Sequence, residues 1–135
     1  MQRFQKIKDD IPIELFKELG VYSIFAFDGK DQPISINRAC GVDETGLLYI
    51  GSAPGRSIGD RIADFRKTVL PRWKSTPHIA GRKYCQVECL KKYFPVDSLV
   101  YSFIKNNDDL KGLEQELIST YVRRFGETPP LNGQW

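Results

Sequence analysis

Five side chains carry most of the chemical possibilities of this chain: Tyr22, Tyr49, Arg61, His78 and Glu114. Tyr22 and Tyr49 lie in the apolar runs Gly20-Val21-Tyr22 and Tyr49-Ile50-Gly51. If those runs pair as antiparallel strands, the two phenols approach each other; core packing with the hydroxyl satisfied at an edge is the plainer account. Arg61 lies about 60° from the centre of the helical stripe Ile58, Ile62, Phe65 and Val69, at the boundary between core and water. A guanidinium there can present a planar fork to a phosphate, or simply snorkel. Arg66 falls on the opposite edge of that stripe, and Lys67 points away from the core. Glu114 is the sharpest case. Leu113, Leu117, Ile118, Tyr121 and Phe125 form one broad apolar arc, and Glu114 falls near its middle. A carboxylate there needs a cation, either an internal arginine or a metal ion at a cleft. One or two carboxylates together with phosphate oxygens are how magnesium is commonly held. His78, the single histidine, is either a surface helix cap or a member of the site.

The elements that must position these groups follow from periodicity and punctuation. Asp9 and Asp10 can cap a short helix with Ile13, Phe16 and Leu19 facing inward and Gly20 closing it, behind loose residues 1–8. Gly20 to Asp28 predicts a strand buried on both faces and ending in an Asp-Gly turn. The connection from Gly29 to Thr45 is long, and the alternation of Ile34 and Ile36 suggests a short strand within it. Residues 46–51 predict a second strand, with Leu47, Tyr49 and Gly51 on one face and Leu48 and Ile50 on the other. A helix capped by Ser57 follows and ends before Pro71. Pro71 to Pro77 predicts an exposed basic loop, with Trp73 as a stacking or packing residue. His78 to Phe94 predicts a helix weakened by Gly81, Ser98 to Ile104 a third strand, and Leu113 to Phe125 a helix closed by Gly126.

The chain has 135 residues, one domain by size, with ordinary apolar (41%) and charged (27%) content. It contains no apolar run of membrane-spanning length, and its first residues lack the apolar core of a signal peptide. Three cysteines, an odd number, point to reduced thiols and a cytoplasmic setting. The net charge of +3 is unevenly spread: ten Lys and Arg lie between Arg56 and Lys92 against Asp60, Asp64 and Glu88. That asymmetry suits a polyanionic partner as well as an ordinary solvated face.

In chain order, Gly20-Val21-Tyr22, Tyr49-Ile50-Gly51, an arginine on the next helix, the glutamate-bearing stretch 113–118 and Pro129-Pro130-Leu131-Asn132 resemble the GIY-YIG nuclease family. The similarity runs from about Gly20 to Asn132. It implies a small α/β (α+β) domain at residues 20–135, a three-stranded antiparallel sheet flanked by helices, behind a helical extension of residues 1–19. It implies a DNA endonuclease, with RNA a further possible substrate, that uses a single divalent ion, Mg²⁺ or Mn²⁺, on Glu114. Arg61 would sit near the scissile phosphate, Tyr22 and Tyr49 would lie in the site with one activating water, and Asn132 would support it. Where many members carry a histidine or tyrosine one turn after the arginine, this chain has Phe65, and His78 could fill that role from its loop. Arg56, which precedes the helix, rivals Arg61. The turn between Gly51 and Arg61 is longer than in many members, and the 29–45 connection is atypical. On this reading Arg56, Arg66, Arg72, Lys74, Arg82 and Lys83, with Asn132, contact nucleic acid, and cutting both strands favours a homodimer or sequential nicking. A binding module of the same fold without turnover, and a zinc site built from Cys85, Cys89 and His78, are the competing readings.

Overall fold

The computed structural model describes residues 3–70 and 76–133. Its architecture is mixed α/β. Strands β1 (Gln5–Lys6), β2 (Gly20–Ala26), β5 (Leu47–Ser52) and β6 (Leu99–Lys105) form an antiparallel sheet in the order β1-β6-β2-β5. A separate hairpin, β3 (Ile36–Arg38) with β4 (Gly41–Asp43), occupies the long connection. Four α-helices follow: α1 (Ile58–Val69), α2 (Ile79–Gln86), α3 (Glu88–Tyr93) and α4 (Leu110–Phe125).

The three strands expected from the sequence lie side by side, with β2 in the middle. Its seven residues are nearly all buried, as a strand apolar on both faces requires. One face, carrying Tyr22, Ile24 and Ala26, packs with Leu48, Leu99 and Tyr101 against Ile58, Ile62, Phe65 and Val69 of α1 and Ala80 and Tyr84 of α2. The other face, with Phe25 and Ile50, looks towards Leu117 and Tyr121 of α4 across a cleft of about 460 Å³. Ser57 caps α1 through a reciprocal pair, accepting from Asp60 N–H at 2.9 Å while Asp60 accepts from Ser57 N–H.

Several expectations are corrected. Residues 5 and 6 are not loose. They pair with Tyr101 and Val100, and Ile7 behind them is completely buried. The helix expected before Gly20 is a single 3₁₀ turn, Ile13–Lys17. Leu15 is its buried residue, whereas Ile13 is 80% exposed. A β-bulge also changes the second strand: Tyr49 opposes Ile24 but Leu47 opposes Phe25. The extra residue, Leu48, turns Leu47 to the α4 side, away from Tyr49. The expected helix from His78 to Phe94 breaks at Val87 into α2 and α3.

The outer edge of β5 is closed by the tail rather than by another strand. Leu131 N–H donates to Leu48 O at 2.8 Å. The Asn132 amide accepts from Ile50 N–H at 3.0 Å and donates to Ile50 O at 2.9 Å. Both ends of this buried side chain are thus engaged by one residue's backbone, which gives Asn132 a fastening role at this edge. Asn132→Ala strands a buried donor and acceptor. It should lower unfolding stability by about 1–3 kcal/mol in urea titration, and a loss below about 0.5 kcal/mol would contradict this role.

Candidate active site

The site begins with what Gly51 lacks. Tyr22 stands opposite Gly51 across the β2–β5 pair, and Tyr49 precedes it by two residues on the same face. A Cβ on Gly51 would lie 2.5 Å from the Tyr49 ring and 2.8 Å from Tyr22 Oη. Only glycine lets both rings occupy this part of the sheet face; their centroids are 5.9 Å apart.

His78 comes to the same place from the other side of the core. It is fully buried, and its Nε2 lies 2.8 Å from Tyr22 Oη. It is also the N-cap of α2: Nδ1 accepts the Gly81 N–H at 3.3 Å. An accepting Nδ1 places the proton of the neutral ring on Nε2, so His78 donates to the Tyr22 oxygen. Tyr49 and Phe65 stand edge-on to the imidazole, with centroids 5.3 and 5.2 Å away. Thr68 holds the histidine backbone by accepting its N–H at 3.1 Å. The helix cap anticipated for a surface histidine is present, but the ring is interior. Burial first, and then the Arg61 charge, push its pKa down to about 3, with Asp64 opposing. The unfolded chain therefore binds more protons below pH 6.5, and His78 subtracts stability as pH falls from about 6.5 towards 3.

Arg61 faces both phenols, and its positive charge acts on each of them. Its Nη1 donates to Asp64 Oδ2 at 3.0 Å, and its buried Nε has no hydrogen-bond partner among the described residues. Burial raises the pKa of Tyr22 well above that of a free phenol, with Tyr49 adding to the rise and Arg61 opposing it. Tyr49 is raised as well, by burial first and then by the Glu114 charge, against the hydrogen bond with Tyr22 and the Arg61 charge. Both phenols therefore rest protonated.

Glu114 arrives from α4, on the opposite face, around the end of β5. Its Oε1 accepts from Ser52 Oγ at 2.9 Å, one residue beyond Gly51. Its Oε2 lies 3.4 Å from Lys111 Nζ, and the carboxylate side chain is 13% exposed while Lys111 is 66% exposed. The acid is neither sealed in the core nor turned away from the phenols. Among the described residues no three His, Cys, Asp or Glu side chains converge as a metal cage. A single carboxylate reaching solvent beside an exposed lysine suits a Mg²⁺ that keeps its waters and shares phosphate oxygens. A zinc site at His78 does not fit, because both ring nitrogens are engaged.

No family model, curated protein or solved structure matches this chain. The site therefore stands on its own geometry, which brings Tyr22, Tyr49, Arg61 and His78 together from β2, β5, α1 and the N-cap of α2, with Glu114 of α4 at the end of β5.

The wider set expected on nucleic acid divides. Arg66 is a structural clamp: its Nε donates to Ile7 O and its Nη2 to Lys8 O, both at 3.0 Å, fixing the N-terminal segment to α1. Arg56 pairs with Asp64 beside Arg61. Arg82 is exposed and Lys83 half-buried on α2. Arg72 and Lys74, with Trp73, lie outside the described residues. Ser52, Asp64, Thr68 and Lys111 escaped the sequence reading. Asp64 and Lys111 were detectable as partners three residues from Arg61 and Glu114 on their helices. Ser52 and Thr68 carry no such signal. Gly51→Ala should force the two rings apart and destabilise the chain by about 1–3 kcal/mol. Tyrosine fluorescence and urea titration should change together, and wild-type stability would show that the gap is not needed.

Proposed function

We propose that this chain is a metal-dependent endonuclease that hydrolyses phosphodiester bonds in DNA, with a fold of the GIY-YIG type built on β2, β5 and β6. What carries the reading is that Glu114, coming from the α4 face, reaches Ser52 at the end of β5, and its charge acts on Tyr49, which stands with Tyr22 and Arg61 on the other face. A solvent-reaching carboxylate, a partly exposed guanidinium and two phenols together supply what in-line attack on a phosphodiester needs.

Glu114 would hold Mg²⁺ or Mn²⁺, oriented by the Ser52 hydroxyl, once Lys111 gives way. A divalent cation there supplies polarisation of a non-bridging oxygen and neutralisation of the leaving oxygen. Arg61, whose side chain is 19% exposed, would donate guanidinium N–H groups to the phosphoryl oxygens. Tyr22 would act as the phenolate: its own proton is first lost to solvent, and the phenolate oxygen then takes one proton from the attacking water, which Tyr49 would position. His78 assists by donating Nε2–H to the same oxygen, which favours its charged form. Arg61 acts in the same direction, against the burial that holds the phenol protonated at rest. A neutral histidine at a helix N-terminus is suited to this donor role and not to that of a base.

No helix among the described residues is long and apolar enough to cross a membrane. A binding module without turnover is the alternative, and the complete set of groups argues for catalysis. With Mg²⁺ and supercoiled plasmid, wild type should nick DNA. Glu114→Gln and Tyr22→Phe should each lose at least about 100-fold in rate, the scale of removing a metal ligand or a general base. Plasmid binding without nicking by wild type would select the binding module, and equal rates for wild type and Glu114→Gln would remove the metal assignment.

A further inference from the structure

Asp64 bonds two arginines through one oxygen. Its Oδ2 accepts from Arg61 Nη1 at 3.0 Å and also from Arg56 Nη1. Two guanidinium groups therefore stand side by side on Asp64, although like charges would separate without the anion between them. They differ in setting. The Arg61 side chain is 19% exposed and faces the phenols, whereas Arg56 is 46% exposed and turns its remaining donors to water. Arg56 is also held from its backbone. It closes a turn through its N–H to Ala53 O at 2.9 Å, and Gly55 before it has a φ of +83° that favours glycine. Asp64 is anchored in turn, since its backbone carbonyl accepts from Thr68 Oγ1 at 2.8 Å, the same hydroxyl that holds the His78 N–H.

An isolated surface ion pair would need none of this. Here one carboxylate sets the spacing of two planar forks, and the cluster keeps a net positive charge. We propose that Arg56 binds the phosphate next to the one engaged by Arg61, and that Asp64 is the positioning residue that holds the two guanidiniums side by side to receive consecutive phosphates of a polynucleotide. This rests on the nuclease reading for the role of Arg61 and adds a second phosphate subsite to it. A polymer with neighbouring phosphates is then the substrate, and a mononucleotide ester would engage only half of the clamp. When the strand binds, its phosphate oxygens take over Arg56 donors that now face water, and Asp64 keeps both forks in place.

The test uses a short fluorescein-labelled DNA duplex in EDTA, with anisotropy followed from about 50 to 200 mM salt, beside cleavage of the same duplex in Mg²⁺. Arg56→Gln should weaken binding and make the slope of log K against log salt shallower by about 0.9, the value of one phosphate contact. Arg56→Lys should keep the slope. Asp64→Asn, which leaves two unbridged cations, should bind as tightly as wild type or more tightly while kcat falls, a split that a purely structural loss would not give. An unchanged slope in Arg56→Gln, or unchanged kcat and KM in Asp64→Asn, overturns the proposal while leaving the nuclease reading in place. Wild type that binds with the expected slopes yet never cleaves sinks the nuclease reading and supports the second phosphate subsite.

Discussion

The hydrogen bond between His78 Nε2 and Tyr22 Oη, 2.8 Å long and 56 residues apart in sequence, is the constraint on which the site depends. It joins the central strand to the start of α2 through the core. One imidazole nitrogen serves the helix terminus and the other serves the phenol. A change of tautomer breaks the bond from Gly81 and reverses the one to Tyr22, so the orientation of the ring, the start of α2 and the direction of the phenol are linked. Burial makes the arrangement costly to break, because a buried donor left without its acceptor loses its full hydration. Phe65 and Tyr49 complete the box around the ring.

Two layers meet at the end of β5. The α1 and α2 side contributes the histidine and the arginine, and the α4 side contributes the glutamate. The strand between them is thin there because Gly51 has no side chain and Ser52 reaches over to α4. The tail, fastened to Ile50 and Leu48, keeps this edge of the sheet from shifting. The hairpin β3–β4 steadies the far end of α4: Cys40 N–H donates to Phe125 O, and Tyr121 Oη donates to the buried Asp43 at 2.7 Å. The position of Glu114 is therefore set from both ends of its helix, although the group itself sits at a solvent-reaching edge.

Side-chain pattern made much of this legible. The strand around Tyr22 was visible as an apolar run, α1 as a stripe behind Ser57, and Glu114 as a charge out of place on an apolar arc. What escaped the sequence was carried by backbone. Gln5 and Lys6 pair with β6 through main-chain groups, which leave no mark on a polar dipeptide. The bulge at Leu48 depends on register, and a one-residue register change reverses faces without changing composition. Arg66 and Asn132 suit nucleic-acid contacts by type, but their types gave no sign that each also bonds main-chain carbonyls of a distant segment. His78 was half legible: proline before it and helix after it signalled a cap, but nothing local signalled that its other nitrogen would meet Tyr22.

The most direct measurement of this account is the ¹⁵N NMR titration of the His78 ring. The account predicts a neutral ring with the proton on Nε2 from neutral pH down to about 4, since its pKa is pushed down to about 3. A ring that titrates near the ordinary value of about 6.5, or that carries its proton on Nδ1, would contradict it.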